Sequence, residues 1–500
     1  MVDASVLPDE YRGTLAQARE RLPVLNAYAA KAAAVAKLLP GIIGADGRRR
    51  YLVIFQNDAE LRPTGGFMGS YALVDVNNGR LTQVEIPGGG SYDIQGQMPL
   101  KLISPQPLHL VNPHWQFQDA NWSPDFPTAA KTITRFFEAG TKTSVDGVIA
   151  LNIPVVEKLL EIIGPVPMPE YGKTIDHRNF YFETQKAVEI DYDKEANRPK
   201  KFLADLAPRI IDKTLKADRG QMIAIAQALD EALRLKQAQL WFRHGDEQQA
   251  VGELGWDGAM KTTGGDFLAL VHSNIAGQKT DRVMRDEVSH EAKIMADGTT
   301  IVTLTLKRVH AGESGALFSG VRNVDFLRVY VPAGSVLVEA KGFTPPDPKL
   351  FKIPEPGYAV DGELAAAEES LRVDAASGTR VYVEGGRTVF GNWLQTDPGQ
   401  SSIATLVYQL PPNAVRILPP ERRWLDRLQG RQSESDRLDY RLTIFKQSGA
   451  DRTTFTQSLD LPRGYILDDE TGRTEDDRGR LVTSFPLQSD TELRALLEMP

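Results

Sequence analysis

The sequence predicts a layered α/β domain with helices at its N-terminus, followed by an antiparallel β-sandwich. Three observations carry this. Apolar residues recur every third or fourth position through the Ala-, Leu-, Arg- and Glu-rich residues 4–40, the spacing of amphipathic helices. Strand-like and helix-like runs alternate over roughly 45–280. Beyond about 280, helical periodicity fades and short strand-like runs recur with turn signals between them. At 500 residues and 41% hydrophobic, the chain exceeds one ordinary domain. The expected division is a helical segment at 1–45, the α/β domain at 46–280, the sandwich at 281–465 and a charged tail at 466–500.

Taken in order, Pro23 starts a second N-terminal helix or kinks the first. "RYLVIFQN" (50–57) is a nearly continuous apolar run, as expected of a buried strand. Residues 69–86 read as a hairpin turning at Asn77–Gly79. Five prolines and two tryptophans make 99–126 irregular. Helices follow at 126–140 with a glycine cap, at 153–164, and at about 176–188, 198–217 and 219–236. Strands are expected at 144–152, 238–242 and 266–274. Residues 289–309 form a hairpin turning at Asp297-Gly298, and 345–370 is a Pro/Glu/Ala-rich insertion. "DDETGRTEDDRGR" (468–480) reads as a charged, mobile linker.

Composition excludes several classes of function. A net charge of −8 argues against a general nucleic-acid binder. With no cysteine there is no thiol nucleophile, Cys-ligated zinc or disulfide. No run of 18 apolar residues is present, and the N-terminus has neither the basic nor the apolar region of a secretory signal. The seven histidines are dispersed, with no zincin-type pair, and there is no Gly-x-Ser-x-Gly elbow.

The loop "NDAELRPTGGFMGSY" (57–71) and the later "IPGGGSYD" (86–93) fall at the same edge of the predicted hairpin. Gly65, Gly66 and Gly88–Gly90, with Gly89 between the last two, could leave amides free as an anion nest. Arg62 could add a bidentate contact to phosphate or carboxylate, with Glu60, Thr64 and Asp93 beside it. The plainer alternative is that the glycines turn tight corners and Arg62 pairs with Glu60 or Asp58. Neither loop matches a phosphate-loop or dinucleotide fingerprint. In "FQDANWSPDFP" (117–127), Asp119 and Asp125, with Asn121, are hard oxygen donors suited to Mg²⁺. The commoner use is capping of the following helix by Ser123 or Asp125. Lys200 and Lys201 crowd a helix start, where cations oppose the dipole, so they are either solvated or facing an anion.

The strings "ELRPTGGF", "DANWSPDFPTAA", "VDGVIALN" and "SNIAGQKTDR" resemble a large uncharacterised bacterial envelope family, a domain of unknown function, over roughly 1–465. Its members usually carry an N-terminal transmembrane anchor, which this chain does not show. More distantly, the α/β part is similar to the LytR–CpsA–Psr phosphotransferases. That likeness implies an extracytoplasmic protein of the cell envelope, Mg²⁺ as cofactor, and a polyprenyl-pyrophosphate-linked or cell-wall glycan as partner, with Arg62, Asp119 and Asp125 as the catalytic set. Arg62 stands at an Arg of the family's Arg-x-Asp-Thr string, and Lys200 and Lys201 fall near its basic helix motif. Thr64 replaces the family's metal-binding Asp, and "IPGGG" replaces its Ile-Pro-Arg-Asp. Asp93, Asp119 and Asp125 are the acids left to substitute. Two functions therefore stand: binding or transfer of a phosphate-linked glycan, or a non-catalytic scaffold or adhesion module with a degenerate α/β domain.

Overall fold

A five-stranded sheet organises the first half of the chain. In this computed structural model, residues 22, 26, 29–195, 198–418, 437–462, 466–467 and 474–498 are described. Helix α1 (29–42) leads into β1 (Arg49–Asn57), the central strand. On one side lie β2 (Phe67–Asn77) and then β3 (Arg80–Glu85). Helix α2 (Phe126–Thr141) precedes β4 (Gly147–Asn152), which pairs with β1 in parallel on the other side. Helices α3 (Ile153–Ile163), α4 (Phe180–Glu189), α5 (Lys201–Leu215) and α6 (Arg219–Arg234) follow, then the edge strand β5 (Ala238–Phe242) and α7 (Gly245–Leu254). The β2–β3 turn has Asn78 and Gly79 at φ 47° and 73°, the conformation that Asn-Gly supplies at low cost.

Alternate residues of β1 serve opposite faces of the sheet. Leu52 and Ile54 pack against Phe126, Ile133 and Phe137 of α2. Val53 and Phe55 look the other way, toward α3, α4 and α5. Those helices have a small core of their own, around Leu160, Phe202 and Leu206. A capping box between Asp218 and Gln221 starts α6. The expected glycine cap of α2 lies elsewhere: Gly140 is inside the helix, where a Cβ would come within 2.7 Å of Ile94, and Lys142 closes it at φ 59°. Gly164 does close α3, at φ 78°.

After residue 262 the chain builds two large sheets. One has, in spatial order, Val336–Lys341, Ser401–Gln409, Thr300–His310, Met284–Ile294, Thr453–Asp460, Leu481–Pro486 and Thr474–Glu475. The other is centred on Asn323–Val331, Asp266–Val271 and Arg437–Phe445. They share one core, in which Leu268, Val329 and Leu442 meet Val302, Leu304 and Phe455. The insertion at 345–370 reaches back to the α/β unit, where Ala359–Val360 pairs with Leu102–Ile103.

Three expectations need correcting. The run at 266–274 is not the last strand of the α/β sheet; Asp266–Val271 pairs with Asn323–Val331 and Arg437–Phe445. The large sheets are mixed rather than purely antiparallel, since Met284–Ile294 runs parallel to Thr453–Asp460 and Asp266–Val271 parallel to Arg437–Phe445. The residues read as a tail supply strands instead, Leu481–Pro486 and Thr491–Glu498, and the latter buries Ala495 and Leu497 in the shared core. Residues 4–21 and Pro23, for which helices are expected, and residues 468–473 of the expected linker at 468–480 lie outside the described residues.

Candidate functional site

Between the sheet and helices α3–α5 lies a cavity of about 1470 Å³. This exceeds the roughly 300–1,000 Å³ of a small-molecule pocket. Its walls are apolar: Val53, Val74 and Val84 from the sheet face Val156 on α3 and Leu203 and Ile211 on α5. Leu203, Ala207 and Ile211 repeat every fourth residue, so one stripe of α5 faces the cavity. Tyr92, Ile190, Leu229 and Leu317 line it and are themselves exposed, so the cavity opens to solvent.

Charged groups gather in one part of its lining: Glu60, Arg62, Asp93, Asp119, Glu189, Lys200 and Lys279. Arg62 is buried, and its guanidinium donates to Glu60 Oε1 at 3.3 Å and to the Asn274 carbonyl, with Nε 3.6 Å from Asp119 Oδ1. Burial pushes the Asp119 carboxyl up; Arg62 pulls against this and Glu60 adds to it. Lys279 pairs with Glu60 and, at 3.4 Å, with Glu189. Lys200 differs. Its backbone N–H donates to the Gly88 carbonyl at 2.8 Å, but no described residue pairs with its ammonium. Burial, and then the positive charge of Lys279, push that ammonium down to about 8.

The glycine loops do less anion binding and more shaping than their composition suggests. The Gly65 amide donates to the Arg62 carbonyl, the Gly90 amide to the Pro87 carbonyl and the Gly89 amide to Asp93 Oδ2 at 3.0 Å. Three of the five expected nest donors are therefore spent internally. Gly90 has another use. At φ +65°, a Cβ there would lie 2.5 Å from the Gly69 carbonyl oxygen and 2.8 Å from Lys200 Cγ. A side chain at this position would displace the Lys200 stem. Gly88 lies beside Arg198 in the same way. Gly66 lets the loop cross β1, since a Cβ would sit 2.2 Å from the Asn57 backbone.

Other expected site residues hold the scaffold. Thr64 donates to Gln56 Oε1 at 2.6 Å, and Asn121 Nδ2 reaches Thr64 Oγ1 and the Gly66 carbonyl, both at 3.0 Å. All three side chains are buried, so they staple the loop at 57–71 to segment 117–123. Asp125 caps α2: Oδ2 accepts from Thr128 N and Oγ1, while Oδ1 accepts from Met260 N at 2.9 Å. It lines a separate cavity of about 590 Å³. Asp119 and Asp125 thus face different cavities and do not form one Mg²⁺ site. Among the described residues no cluster of three or more His, Cys, Asp or Glu could hold a metal. Lys201 points outward and pairs with Asp205 at 2.5 Å.

The loop bearing Arg62 is anchored from the β-rich half. Asp281 Oδ2 accepts from Leu61 N at 2.9 Å and from Asn274 Nδ2 at 2.7 Å. Its other oxygen lies 2.5 Å from Arg308 Nη2. Arg308 is fully buried and also binds Asp286 at 2.8 Å, while His272 Nδ1 lies 2.6 Å from Asp325. Burial opposes charge on Asp325, but His272 and Arg308 outweigh it and hold the carboxyl below its ordinary value. Arg62 also joins here, through the carbonyl of Asn274.

Sequence reasoning missed Lys279, Glu189 and Tyr92. Lys279 stands within "SNIAGQKTDR", whose distinctiveness was the available signal. No described helix is long and apolar enough to cross a membrane.

Comparison with known proteins adds the following. Residues 46–188 match the model of a family described as "Protein of unknown function (DUF4012)", less than a third of the chain. No curated protein matches. Among solved structures, protein gbs0355 from Streptococcus agalactiae is 12% identical, with 42% of this chain and 73% of that chain covered, at a TM-score of 0.27. B. subtilis TagV is 11% identical, with 44% and 85% covered, at 0.25. An M1 zinc metallopeptidase from Deinococcus radiodurans is 13% identical, with 44% and 43% covered, at 0.19. Likenesses this slight do not bear on what the chain does.

Proposed function

We propose that the cavity beneath α3–α5 binds the chain of a single-tailed, isoprenoid-type lipid and that the charged groups at Arg62, Lys200 and Lys279 hold its phosphate. The protein then acts at the cell envelope, outside the cytoplasm, on a lipid-linked glycan. The two large sheets serve as a β-sandwich module that fixes the head-group loop from behind. One observation carries this: a cavity of about 1470 Å³ with apolar walls and a charged part containing a lysine that pairs with no described residue. A cavity this large, with apolar walls, exceeds the needs of a small polar substrate. A lipid chain gains about 0.8 kcal/mol for each CH₂ it buries.

Binding, rather than transfer, is the activity these residues support. Asp125 is committed to a helix cap and Thr64 to a buried staple, so the carboxylates that would activate an acceptor hydroxyl are not assembled. The two acids beside Arg62 in the cavity, Glu60 and Asp119, are both held by that guanidinium. Titration with geranyl and geranylgeranyl monophosphate tests the reading. The longer chain is expected to bind more than about a hundredfold tighter. Inorganic phosphate alone is expected not to compete. Equal affinity for the two chains, or no binding of either, overturns it.

A further inference from the structure

The ionic pairs around the cavity say how much charge a head group can bring. Among the described residues, four carboxyls, Glu60, Asp93, Asp119 and Glu189, and three cations, Arg62, Lys200 and Lys279, line it. Glu60 is shared by Arg62 and Lys279, Asp119 lies beside Arg62, and Glu189 beside Lys279. Asp93 takes the Gly89 amide. Two of the three cations are therefore neutralised before any ligand arrives. Among the described residues lining the cavity, Lys200 alone offers an unpaired positive charge, and Gly90 keeps the space its stem passes through.

We infer that this site selects a head group carrying one negative charge, a lipid phosphodiester such as an isoprenoid phosphate esterified to a sugar, over a lipid diphosphate. This rests on the reading of the cavity as a lipid site. A diester brings one charge to one free ammonium. A diphosphate brings further charges to a lining whose four carboxylates already outnumber its three cations, so the added charge is repelled. Lys200 is the specificity residue and acts by direct contact with the phosphate. The groups that face it are Lys279, Glu189 and Glu60. As Lys200 loses its proton on raising the pH through about 8, diester affinity falls.

Equilibrium binding of geranylgeranyl methyl phosphate, geranylgeranyl diphosphate and geranylgeraniol to the whole chain, with EDTA and again with Mg²⁺, tests this. The diester is expected to bind more than about tenfold tighter than the diphosphate in both buffers. Lys200→Gln removes no ion pair, so it should fold normally. It is expected to remove most of the diester's advantage over the alcohol, while Lys201→Gln changes nothing. Diphosphate binding as tightly as the diester in either buffer, or an unchanged Lys200→Gln variant, overturns the inference and leaves the lipid-site reading standing. If the alcohol and both phosphates fail to bind, both fall.

Discussion

Arg308→Met is expected to destabilise the protein by about 3–5 kcal/mol, the cost of removing one partner from a buried ion pair. Arg308 is fully buried and sits among Asp281, Asp286 and Asp325, at 2.5, 2.8 and 3.8 Å. Without its guanidinium, Asp286 and Asp325 keep the His272 ring and Asp281 keeps Leu61 N and Asn274 Nδ2. Methionine fills comparable space, so the loss is electrostatic rather than a cavity. Urea unfolding at pH 7 reads the change. A second consequence separates this from generic damage. Asp281 also holds Leu61 N, so the loop presenting Glu60 and Arg62 loses its anchor. At a temperature where the variant is still folded, lipid-phosphate affinity should fall more than alcohol affinity. A loss below about 1 kcal/mol, or equal losses for both ligands, would contradict this account of the cluster.

Leu203→Trp is expected to weaken geranylgeranyl phosphate binding by more than about tenfold while changing stability by less than about 1 kcal/mol. Leu203 lines the cavity on the half-buried stripe of α5 that faces it and belongs to none of the packed cores around it. The core-facing neighbours on that helix are Phe202, Leu206 and Ile210. An indole at 203 therefore enters the space claimed for the lipid chain and leaves helix packing alone. Intact protein with unchanged affinity would show that the chain goes elsewhere. A matched Phe202→Ala variant has the opposite profile, losing about 3–5 kcal/mol because it empties a core position.

Much of the α/β layering was legible because its signals are local. The apolar run of β1, the Asn-Asn-Gly turn and the Gly164 stop all act over a few residues, and each is where the sequence puts it. The α4, α5 and α6 helices likewise begin and end within a few residues of expectation. The strand at 491–498 was hidden by the acidic run before it, although Leu493, Ala495 and Leu497 alternate with period two. Strand partners were not legible: Asp266–Val271 joins the second half through pairings with strands beginning at 323 and 437.

The site was half legible. Arg62, Glu60, Asp119, Gly89, Asp93 and Lys200 do line one cavity. Composition could not say that Lys200 faces inward and Lys201 outward. That depends on where α5 begins, since one residue turns a helix by about 100°. Nor could it show that Asp125 spends both oxygens on capping and on Met260. Lys279 lies 219 residues from its partner Glu60, a contact that only the tertiary structure reveals.

The central claim is that a lipid chain lies between the sheet and helices α3–α5. Photolabelling with a geranylgeranyl phosphodiester bearing a diazirine at the far end of its chain tests it most directly, with labelled peptides identified by mass spectrometry. The account predicts adducts on α3 and α5, at Val155–Leu159 and Leu203–Ile211, abolished by excess unlabelled lipid and by Leu203→Trp. Label confined to the outer faces of the two large sheets, or label on α3 and α5 that excess lipid does not displace, would contradict it.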